Sequence, residues 1–345
     1  MCENFFVLAM DIGGNVKYSL VYSNNENSRM LLSGQKMAKT LNEAFWDIRL
    51  DIEEVVGHLQ NLKYVLLSFP GAISYQFSTA LQALNETIRL IMKTFKPFSK
   101  DLHILIMGRD GKFYNSDFVL KYCNEYVDGC FFFDSYWRGV IDMAMDIFNI
   151  YSFLYLDMGS FSFTIIPVKN GTIELGRHEN RVLSEKLLTI GLKNTPILYI
   201  LNELNINRTS FKPYAYVPLY TGDFLTTQES PVNDDSLYDK ISRFLGYPYL
   251  NKSMAYEATF KIKSAIIDLI RKKVEKHIKS NYEDSDVALI MAGDGKYLLY
   301  EILEYENKYI LPFDNTHTSM GMAYVFLKTR YRRNLKWGKT LQTER

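Results

Sequence analysis

The sequence predicts an α/β protein built from two similar lobes, and a repeated pattern leads to this prediction. An apolar strand at residues 5–12 runs into the glycine turn Gly13–Gly14. Much later in the chain, a second apolar strand at residues 153–158 runs into Gly159. Strands of this kind are runs of apolar, aromatic and β-branched residues that stop at turn-forming residues. Because each strand opens a similar series of elements, we expect an internal structural duplication.

The first series begins near the N-terminus and alternates strands with amphipathic helices. Thr40 can cap the first helix, because a threonine side chain accepts a hydrogen bond from the backbone of the first helical turn. Strands are predicted at residues 5–12, 16–23, 29–37, 64–69 and 103–107, and helices at 41–59, 76–95, 117–125 and 135–148. Three strands followed by helix, strand, helix and strand is the order of the ribonuclease-H-like fold.

The second series repeats this order with an insertion. The dipeptide Asn170-Gly171 between two apolar runs predicts a hairpin. A polar, proline-bearing insertion is predicted near residues 205–235. Strands are predicted at residues 153–158, 162–168, 172–176, 287–291 and 309–312, and helices at 181–190, 195–204, 235–245, 254–279, 296–305 and 316–331.

A chain of 345 residues is long enough for two domains with separate cores. We expect the first ribonuclease-H-like lobe over residues 1–134 and the second over residues 135–315, with a cleft between them. Residues 316–345 are expected to form a C-terminal helix and a basic tail that pack at the lobe junction.

Composition and charge argue against several other classes of protein. Hydrophobic residues make up 47% and charged residues 23%, as in ordinary globular domains, and the net charge of +1 gives no general attraction for nucleic acid. No apolar run reaches the ~18 residues of a membrane span. The three cysteines form no CxxC pair, and the five histidines lack metal-binding spacing. We therefore expect a cytoplasmic protein with neither nucleic acid nor membrane as its partner. The glycine turns at the ends of the repeated strands point instead to a small phosphorylated molecule.

The chemistry is expected at the ends of the two repeated strands. Asp11 and Asp157 each lie two residues before a glycine. A carboxylate in this place can hold Mg²⁺ through waters, orient an attacking water or act as a base. The glycines Gly13, Gly14 and Gly159 allow main-chain N–H groups to approach a phosphate.

Lys17 and Ser160 complete the predicted phosphate-binding residues of the two turns. Lys17 could place positive charge at a departing diphosphate, although a solvated strand lysine explains it equally well. A third glycine turn, Gly293-Asp294-Gly295, follows the last apolar strand of the second series. The three turns resemble those of the actin-like ATPase superfamily, which includes sugar kinases, Hsp70 chaperones and actin. This resemblance implies binding of ATP or ADP with Mg²⁺, with the first two turns at the phosphates and the third on adenosine.

A narrower resemblance rests on a combination of short motifs. The sequence is similar to the hydantoinase A/oxoprolinase family, and within it to the archaeal synthases of methanofuran biosynthesis and their relatives in tetrahydromethanopterin-linked one-carbon transfer. That resemblance implies an ether-forming transferase step in which diphosphate leaves, with positive charge or Mg²⁺ at the diphosphate and a base for the phenol. The matching residues are Asp11-Ile12-Gly13-Gly14 with Lys17, Asp157-Met158-Gly159-Ser160 with Ile165-Ile166-Pro167, Arg181, Thr195-Pro196, Pro218-Leu219 and Gly293 with Gly295.

The chain departs from that family at side chains that could transfer protons or bind metal. Residues 161–164 read Phe-Ser-Phe-Thr where relatives have Thr-Thr-Thr-Asp, and residues 68–71 replace a Thr-Gly-Glu. Lys296 stands where relatives have glutamate after the third turn. Since the glycines match better than the acids, one alternative is a catalytically degenerate relative that acts as a binding or scaffold subunit. Another is an ATP-dependent small-molecule kinase.

Overall fold

A computed structural model of the chain describes residues 4–13, 15–24, 27–37, 40–69, 79–99, 101–125, 131–133, 135–160, 162–175, 181, 184–188, 190–193, 195–197, 219–225, 239–243, 251–283, 287–332 and 335–336. The chain folds into two compact units. Unit 1 contains the residues up to Ile150 and those from Pro312 onward, and unit 2 contains Tyr151–Leu175 and Arg181–Leu311.

The described strands fall into two sheets. They are β1 Phe5–Ile12, β2 Val16–Ser23, β3 Ser28–Lys36, β4 Leu62–Ser68, β5 His103–Met107, β6 Phe113–Asn115, β7 Phe153–Met158, β8 Phe163–Lys169, β9 Thr172–Ile173, β10 Leu187–Leu188, β11 Ala288–Ala292, β12 Lys308–Ile310 and β13 Leu335–Lys336.

The described helices vary from one turn to thirty residues. They are α1 Leu41–Val56, α2 Ala80–Phe95, α3 Ser116–Glu125, α4 Tyr136–Phe148, α5 Gly222–Leu225, α6 Lys252–Asn281, α7 Lys296–Ile302 and α8 His317–Tyr331, with a 3₁₀ turn at Lys96–Phe98. Of these, none is long and apolar enough to cross a membrane.

The sheet of unit 1 has the strand order β13-β3-β2-β1-β4-β5-β6. Strand β1 is buried along its whole length, pairs antiparallel with β2 and parallel with β4. A strand covered on both faces needs a continuous apolar run, and this is the pattern at residues 5–12. The end of β1 therefore lies in the middle of the sheet, where Asp11 is flanked by strands on both sides.

Helices α4 and α8 cross within unit 1 at two glycines. A Cβ built on Gly139 would lie 2.7 Å from the backbone carbon of Gly321, and one built on Gly321 would lie 2.6 Å from that of Gly139. The helices thus touch backbone to backbone, and α8 is buried from His317 to Leu327. The lobe boundaries at 134/135 and 315/316 stay a prediction, although α4 packs in the first unit.

The sheet of unit 2 has the order β10-β8-β7-β11-β12, and β9 also pairs with β8. Strand β7 pairs antiparallel with β8 and parallel with β11, just as β1 pairs with β2 and β4. The core of this unit lies between the sheet and α6, which contributes Ile262, Ile266, Ile270 and Val274. The predicted α/β fold with two ribonuclease-H-like lobes is confirmed.

Some predicted elements differ from the structure. Helix α1 ends at Val56 rather than at residue 59, because Gly57 takes the left-handed conformation at φ 73°. The predicted helix at 181–190 is wrong in its described part. Its residues Leu187–Leu188 form β10 against β8, and the Ile165 N–H donates to the Lys186 carbonyl at 2.9 Å. The helix predicted at 195–204 and the insertion at 205–235 lie mostly outside the described residues.

Candidate phosphate-binding turns

In unit 1, Asp11 is held on both carboxylate oxygens. It lies near the end of β1, where its register partners are Lys17 on β2 and Ser68 on β4. The Ser68 hydroxyl donates to Oδ1 at 2.7 Å, and the Thr318 hydroxyl donates to Oδ2 at 2.8 Å. Asp11 is only 7% exposed. Its carboxylate therefore has a fixed orientation that two distant segments impose.

Thr318 reaches Asp11 because the first turn of α8 packs against the sheet of unit 1. The neighbouring Ser319 hydroxyl lies 2.7 Å from the Ser19 hydroxyl on β2 and donates to the Thr316 carbonyl at 2.9 Å. The side chains of Ser19, Thr316, Thr318 and Ser319 are all buried. Buried hydroxyls are retained when they are hydrogen-bonded, so this turn forms a polar support for Asp11 within an apolar core.

Lys17 lies directly opposite Asp11 in the antiparallel pair of β1 and β2. Directly opposite residues point to the same face of a sheet, with Cβ atoms about 4.5–5.5 Å apart. Lys17, which is half-buried, therefore shares a face of the sheet with Asp11. Gly13 begins the turn between the strands and donates its N–H to the Asn15 carbonyl at 3.3 Å. Gly14 lies outside the described residues.

In unit 2, Asp157 occupies the corresponding place on β7 but is held by nearer neighbours. Its register partners are Thr164 on β8 and Ala292 on β11. The Tyr155 hydroxyl donates to Oδ2 at 3.1 Å, and Asp157 is 6% exposed. Tyr155 lies on the same strand two residues earlier, so its side chain shares a face with Asp157.

The third glycine turn lies directly against Asp157. Gly293 has φ 83°, and a Cβ there would lie 2.3 Å from the Asp157 Oδ1 and 2.6 Å from the Met158 carbonyl oxygen. A Cβ on Gly295 would lie 2.6 Å from the Met158 sulfur. A side chain at Gly293 would collide with Asp157 and with the Met158 backbone, and one at Gly295 would collide with the Met158 side chain.

Two glycine N–H groups of these turns already have partners inside unit 2. Gly159 donates to the Ser162 carbonyl and Gly295 donates to the Met158 carbonyl, both at 2.9 Å. The Ser160 hydroxyl donates to Asp294 Oδ2 at 2.8 Å, and both of these residues are half-buried. The hydrogen bond joins the acid–glycine turn to the third turn.

The structure explains two of the residues at which this chain departs from the hydantoinase A/oxoprolinase pattern, and both lie in unit 2. Thr164, which stands at the aspartate of the hydantoinase A/oxoprolinase pattern, is fully buried and accepts a hydrogen bond from the Arg181 Nη1 at 3.1 Å. Lys296 is 5% exposed, and its ammonium group donates to the Leu311 carbonyl at 3.1 Å. Both side chains belong to the packing of the unit rather than to its surface.

The structure thus groups the predicted residues within each unit. Unit 1 brings Asp11, Lys17 and Gly13 to one end of β1 and β2. In unit 2 the turns after β7 and β11 meet, and together they contain Asp157, Gly159, Ser160, Gly293, Asp294 and Gly295. Within the described ranges, no three His, Cys, Asp or Glu side chains are grouped so that they could hold a metal ion.

The sequence did not indicate the hydroxyl groups that hold the two acids. Ser68 and Thr318 lie 57 and 307 residues from Asp11. Tyr155 is close to Asp157 in sequence, and the period-2 spacing on one strand is a signal that could have identified it.

Comparison with known proteins gives a likeness in structure alone. No family model matches the sequence, and no curated protein matches it either. The nucleotide-free structure of acetone carboxylase, from work on ATP-dependent acetone carboxylation, is 9% identical, with 94% of this chain and 70% of that chain covered and a TM-score of 0.58.

Two further solved structures match less closely. Component A of (R)-2-hydroxyglutaryl-CoA dehydratase from Acidaminococcus fermentans is 10% identical over 95% of this chain and 100% of that chain, with a TM-score of 0.43. The ROK hexokinase from Thermus thermophilus is 11% identical over 93% and 98%, with a TM-score of 0.39. At such identities a likeness shows the fold alone. This chain thus shares with acetone carboxylase the fold of two ribonuclease-H-like lobes.

Proposed function

We propose that this protein binds a phosphorylated small molecule, a nucleotide or a diphosphate, together with Mg²⁺ through its two acid–glycine turns. The observation that carries the proposal is that Asp11 and Asp157 are both buried near the end of a central strand and held by hydroxyl donors. Burying a carboxylate lowers the stability of the fold, and an apolar side chain would pack there without that cost. Two buried acids in equivalent places therefore favour a functional role.

The side chains at the turns fit a magnesium ion held mainly through water. Carboxylate oxygens are the ligands that Mg²⁺ prefers, and the ion usually keeps several of its waters. Each Asp11 oxygen already accepts one hydroxyl hydrogen, which leaves it a further lone pair for a metal-bound water. Asp11 in unit 1 and Asp157 in unit 2 are each suited to hold such an ion, and the ion when bound would neutralise charge on phosphate oxygens.

The contacts favour an orienting role for Asp11 over a proton-transfer role. Both of its oxygens are fixed by hydroxyls that come from β4 and α8. A group held in this way keeps a constant position and suits the alignment of a metal-bound water or a phosphate. Lys17, on the same face of the sheet, is the candidate positive group for a phosphate at this turn.

A finer proposal follows from the resemblance to the hydantoinase A/oxoprolinase family. It is an ether-forming transferase of coenzyme biosynthesis, of the methanofuran-synthase type, in which diphosphate departs from the activated substrate. ATP is also a candidate ligand, because the acetone carboxylase that shares this fold is described as ATP-dependent. A small-molecule kinase would need an acid beside the acceptor hydroxyl in addition to the two acids named here.

The second candidate is a relative that binds a ligand or partner without catalysis. Thr164 replaces the aspartate of the resembling family, and its hydroxyl is buried against Arg181. Phe163 belongs to the core of unit 2, while Phe161 lies outside the described residues. A unit that keeps its glycines but has no acid at residue 164 retains a shape for phosphate with fewer groups for proton transfer.

The first experiment measures thermal unfolding with ATP, ADP or inorganic pyrophosphate, each with and without MgCl₂. A ligand at about 100 times its dissociation constant stabilises the folded state by about 2.7 kcal/mol. We expect a Mg²⁺-dependent rise in Tm that Asp11→Asn and Asp157→Asn each reduce. Asp268→Asn, which removes an exposed carboxylate from α6, serves as the control and should respond like the wild type.

An unchanged Tm with all three ligands at millimolar concentration would contradict the proposal. Release of diphosphate from an activated substrate separates the two candidates, because the binding subunit gives the Tm rise without turnover.

A further inference from the structure

The hydrogen bond between Ser160 and Asp294 places a carboxylate at the turn proposed to receive phosphate. The Ser160 hydroxyl donates to Asp294 Oδ2 at 2.8 Å. A hydroxyl carries one proton, so Ser160 cannot donate to Asp294 and to a phosphate oxygen at once. Any phosphate that takes this proton must take it from the carboxylate.

Two backbone N–H groups near the pair are already engaged. Gly159 and Gly295 donate their N–H groups to the Ser162 and Met158 carbonyls. Those two donors would have to leave internal partners before they could meet a phosphate. The Ser160 hydroxyl is therefore a side-chain donor at this turn whose hydrogen bond is already made to a carboxylate.

Charge makes the competition stronger. A phosphate oxygen that accepts from Ser160 would lie about 2.7 Å from its Oγ, and hence about 4.5 Å from the Asp294 oxygen. Two anions at this separation repel each other strongly where water is partly excluded. Asp157 on β7 lies against Gly293, the residue before Asp294, and adds a second negative charge.

We propose that Asp294 is a selectivity residue that rejects a metal-free polyphosphate and admits the same group only when a divalent cation balances its charge. This inference rests on the proposed binding of a phosphorylated ligand at the turn of unit 2. It assigns Asp294 a role opposite to that of a phosphate-binding donor: the carboxylate opposes a free anion and favours a cation complex. The ligand class is then a metal-complexed diphosphate or nucleotide.

The test measures the binding of inorganic pyrophosphate and of ADP by calorimetry, in EDTA and in MgCl₂, to the wild type and to Asp294→Asn. The amide has the shape of the carboxylate, can still accept from Ser160 and can donate to phosphate. In EDTA we expect Asp294→Asn to bind each ligand about tenfold more tightly than the wild type, because one like charge is removed. The preference for the Mg²⁺ complex should shrink accordingly.

Asp268→Asn is the matched control, since it removes the same charge from the exposed face of α6. Ser160→Ala in the Asp294→Asn background should cancel part of the gain, because the shared hydroxyl is lost. The unliganded Tm of each variant shows whether it is folded.

The outcomes separate this inference from the proposed function. Wild-type binding of the Mg²⁺ complex, without a metal-free gain in Asp294→Asn, overturns the inference and leaves the proposed function standing. No wild-type binding in MgCl₂ overturns the proposed function and, with it, the admission of the Mg²⁺ complex, even where Asp294→Asn binds. An equal gain in Asp268→Asn would mean that the net charge of the protein causes the effect, and this overturns the inference. No binding to any variant overturns the inference and the proposed function.

Discussion

Asp11 of unit 1 and Asp157 of unit 2 occupy equivalent places on equivalent strands, but different parts of the chain hold their carboxylates. Asp11 depends on two hydroxyls that arrive from β4 and from α8. Asp157 depends on a hydroxyl of its own strand and on the backbone of the adjacent glycine turn. A duplicated strand–acid–glycine pattern thus fixes where the acid lies and leaves open what orients it.

This difference implies that the two units respond to different kinds of substitution. Unit 1 should be sensitive to the loss of single hydroxyls, because these are the contacts that orient its acid. Unit 2 should be sensitive to added bulk, since a bare backbone occupies the space beside Asp157.

The largest expected effect is that of Gly293→Ala in unit 2. The alanine must adopt φ near 83°, and its Cβ would meet Asp157 Oδ1 at 2.3 Å. Left-handed backbone costs about 1–2 kcal/mol and overpacking about 1–3 kcal/mol, so we expect a loss of roughly 3 kcal/mol or more in the free energy of unfolding. Urea denaturation measures it.

Gly171→Ala provides the matched control in the same unit. Gly171 has φ 75°, but the nearest atom to its Cβ is 3.8 Å away. Only the backbone cost of about 1–2 kcal/mol should appear there. Equal losses in the two variants would show that crowding against Asp157 contributes nothing.

The second expected effect is that of Thr318→Val in unit 1. Valine keeps the shape and removes the donor, which leaves the buried Asp11 Oδ2 without that hydroxyl. We expect a loss of about 1–3 kcal/mol in the free energy of unfolding. We also expect a smaller Mg²⁺-dependent Tm rise with nucleotide, while Thr318→Ser should restore most of both.

Ser319→Ala controls for the general cost of deleting a buried hydroxyl in that turn. Its hydroxyl contacts Ser19 and the Thr316 carbonyl rather than Asp11. If Ser319→Ala reduces the ligand effect as much as Thr318→Val does, the contact with Asp11 has no special role.

Much of the architecture could be predicted from local patterns, and most of the side-chain support of the acids could not. The strands β1 and β7 follow from apolar runs that end at glycines, because burial on both faces leaves a strong signal. The bond from Thr318 to Asp11 joins residues 307 positions apart, and no local pattern indicates it. The sequence predicts a helix where strand β10 lies, because a strand of two residues is too short to show the two-residue alternation that distinguishes strand from helix.

A smaller effect is expected for Tyr155→Phe in unit 2. The Tyr155 hydroxyl lies 3.1 Å from Asp157 Oδ2, longer than either hydroxyl contact to Asp11. We expect a loss of about 0.5–1.5 kcal/mol in urea denaturation, since the ring remains in place. A loss larger than that of Thr318→Val would reverse the comparison between the two acids.

The smallest expected effect is a difference in how the two units respond to acid. In unit 2, burial lowers the pKa of His277, whose ring contacts the Glu185 carbonyl, and a hydrogen bond from Lys276 lowers the pKa of Glu185. Both groups bind protons more readily in the unfolded chain. The stability that they contribute is therefore present above their ordinary pKa values and is lost as the pH falls through the lowered ones.

In unit 1, burial raises the pKa of Asp142, so its effect on stability has the opposite dependence on pH to that of His277 and Glu185. The folded unit binds that proton more readily, so the contribution of Asp142 is lost as the pH rises. We expect hydrogen exchange in β7 to accelerate relative to β1 as the pH falls from about 7 to about 4, first through His277 and then through Glu185, after correction for the intrinsic rates. His277→Gln should reduce this difference, whereas the exposed His58→Gln in unit 1 should not. Parallel acid responses of β1 and β7 in the wild type would mean that these carboxyl and imidazole groups do not distinguish the units.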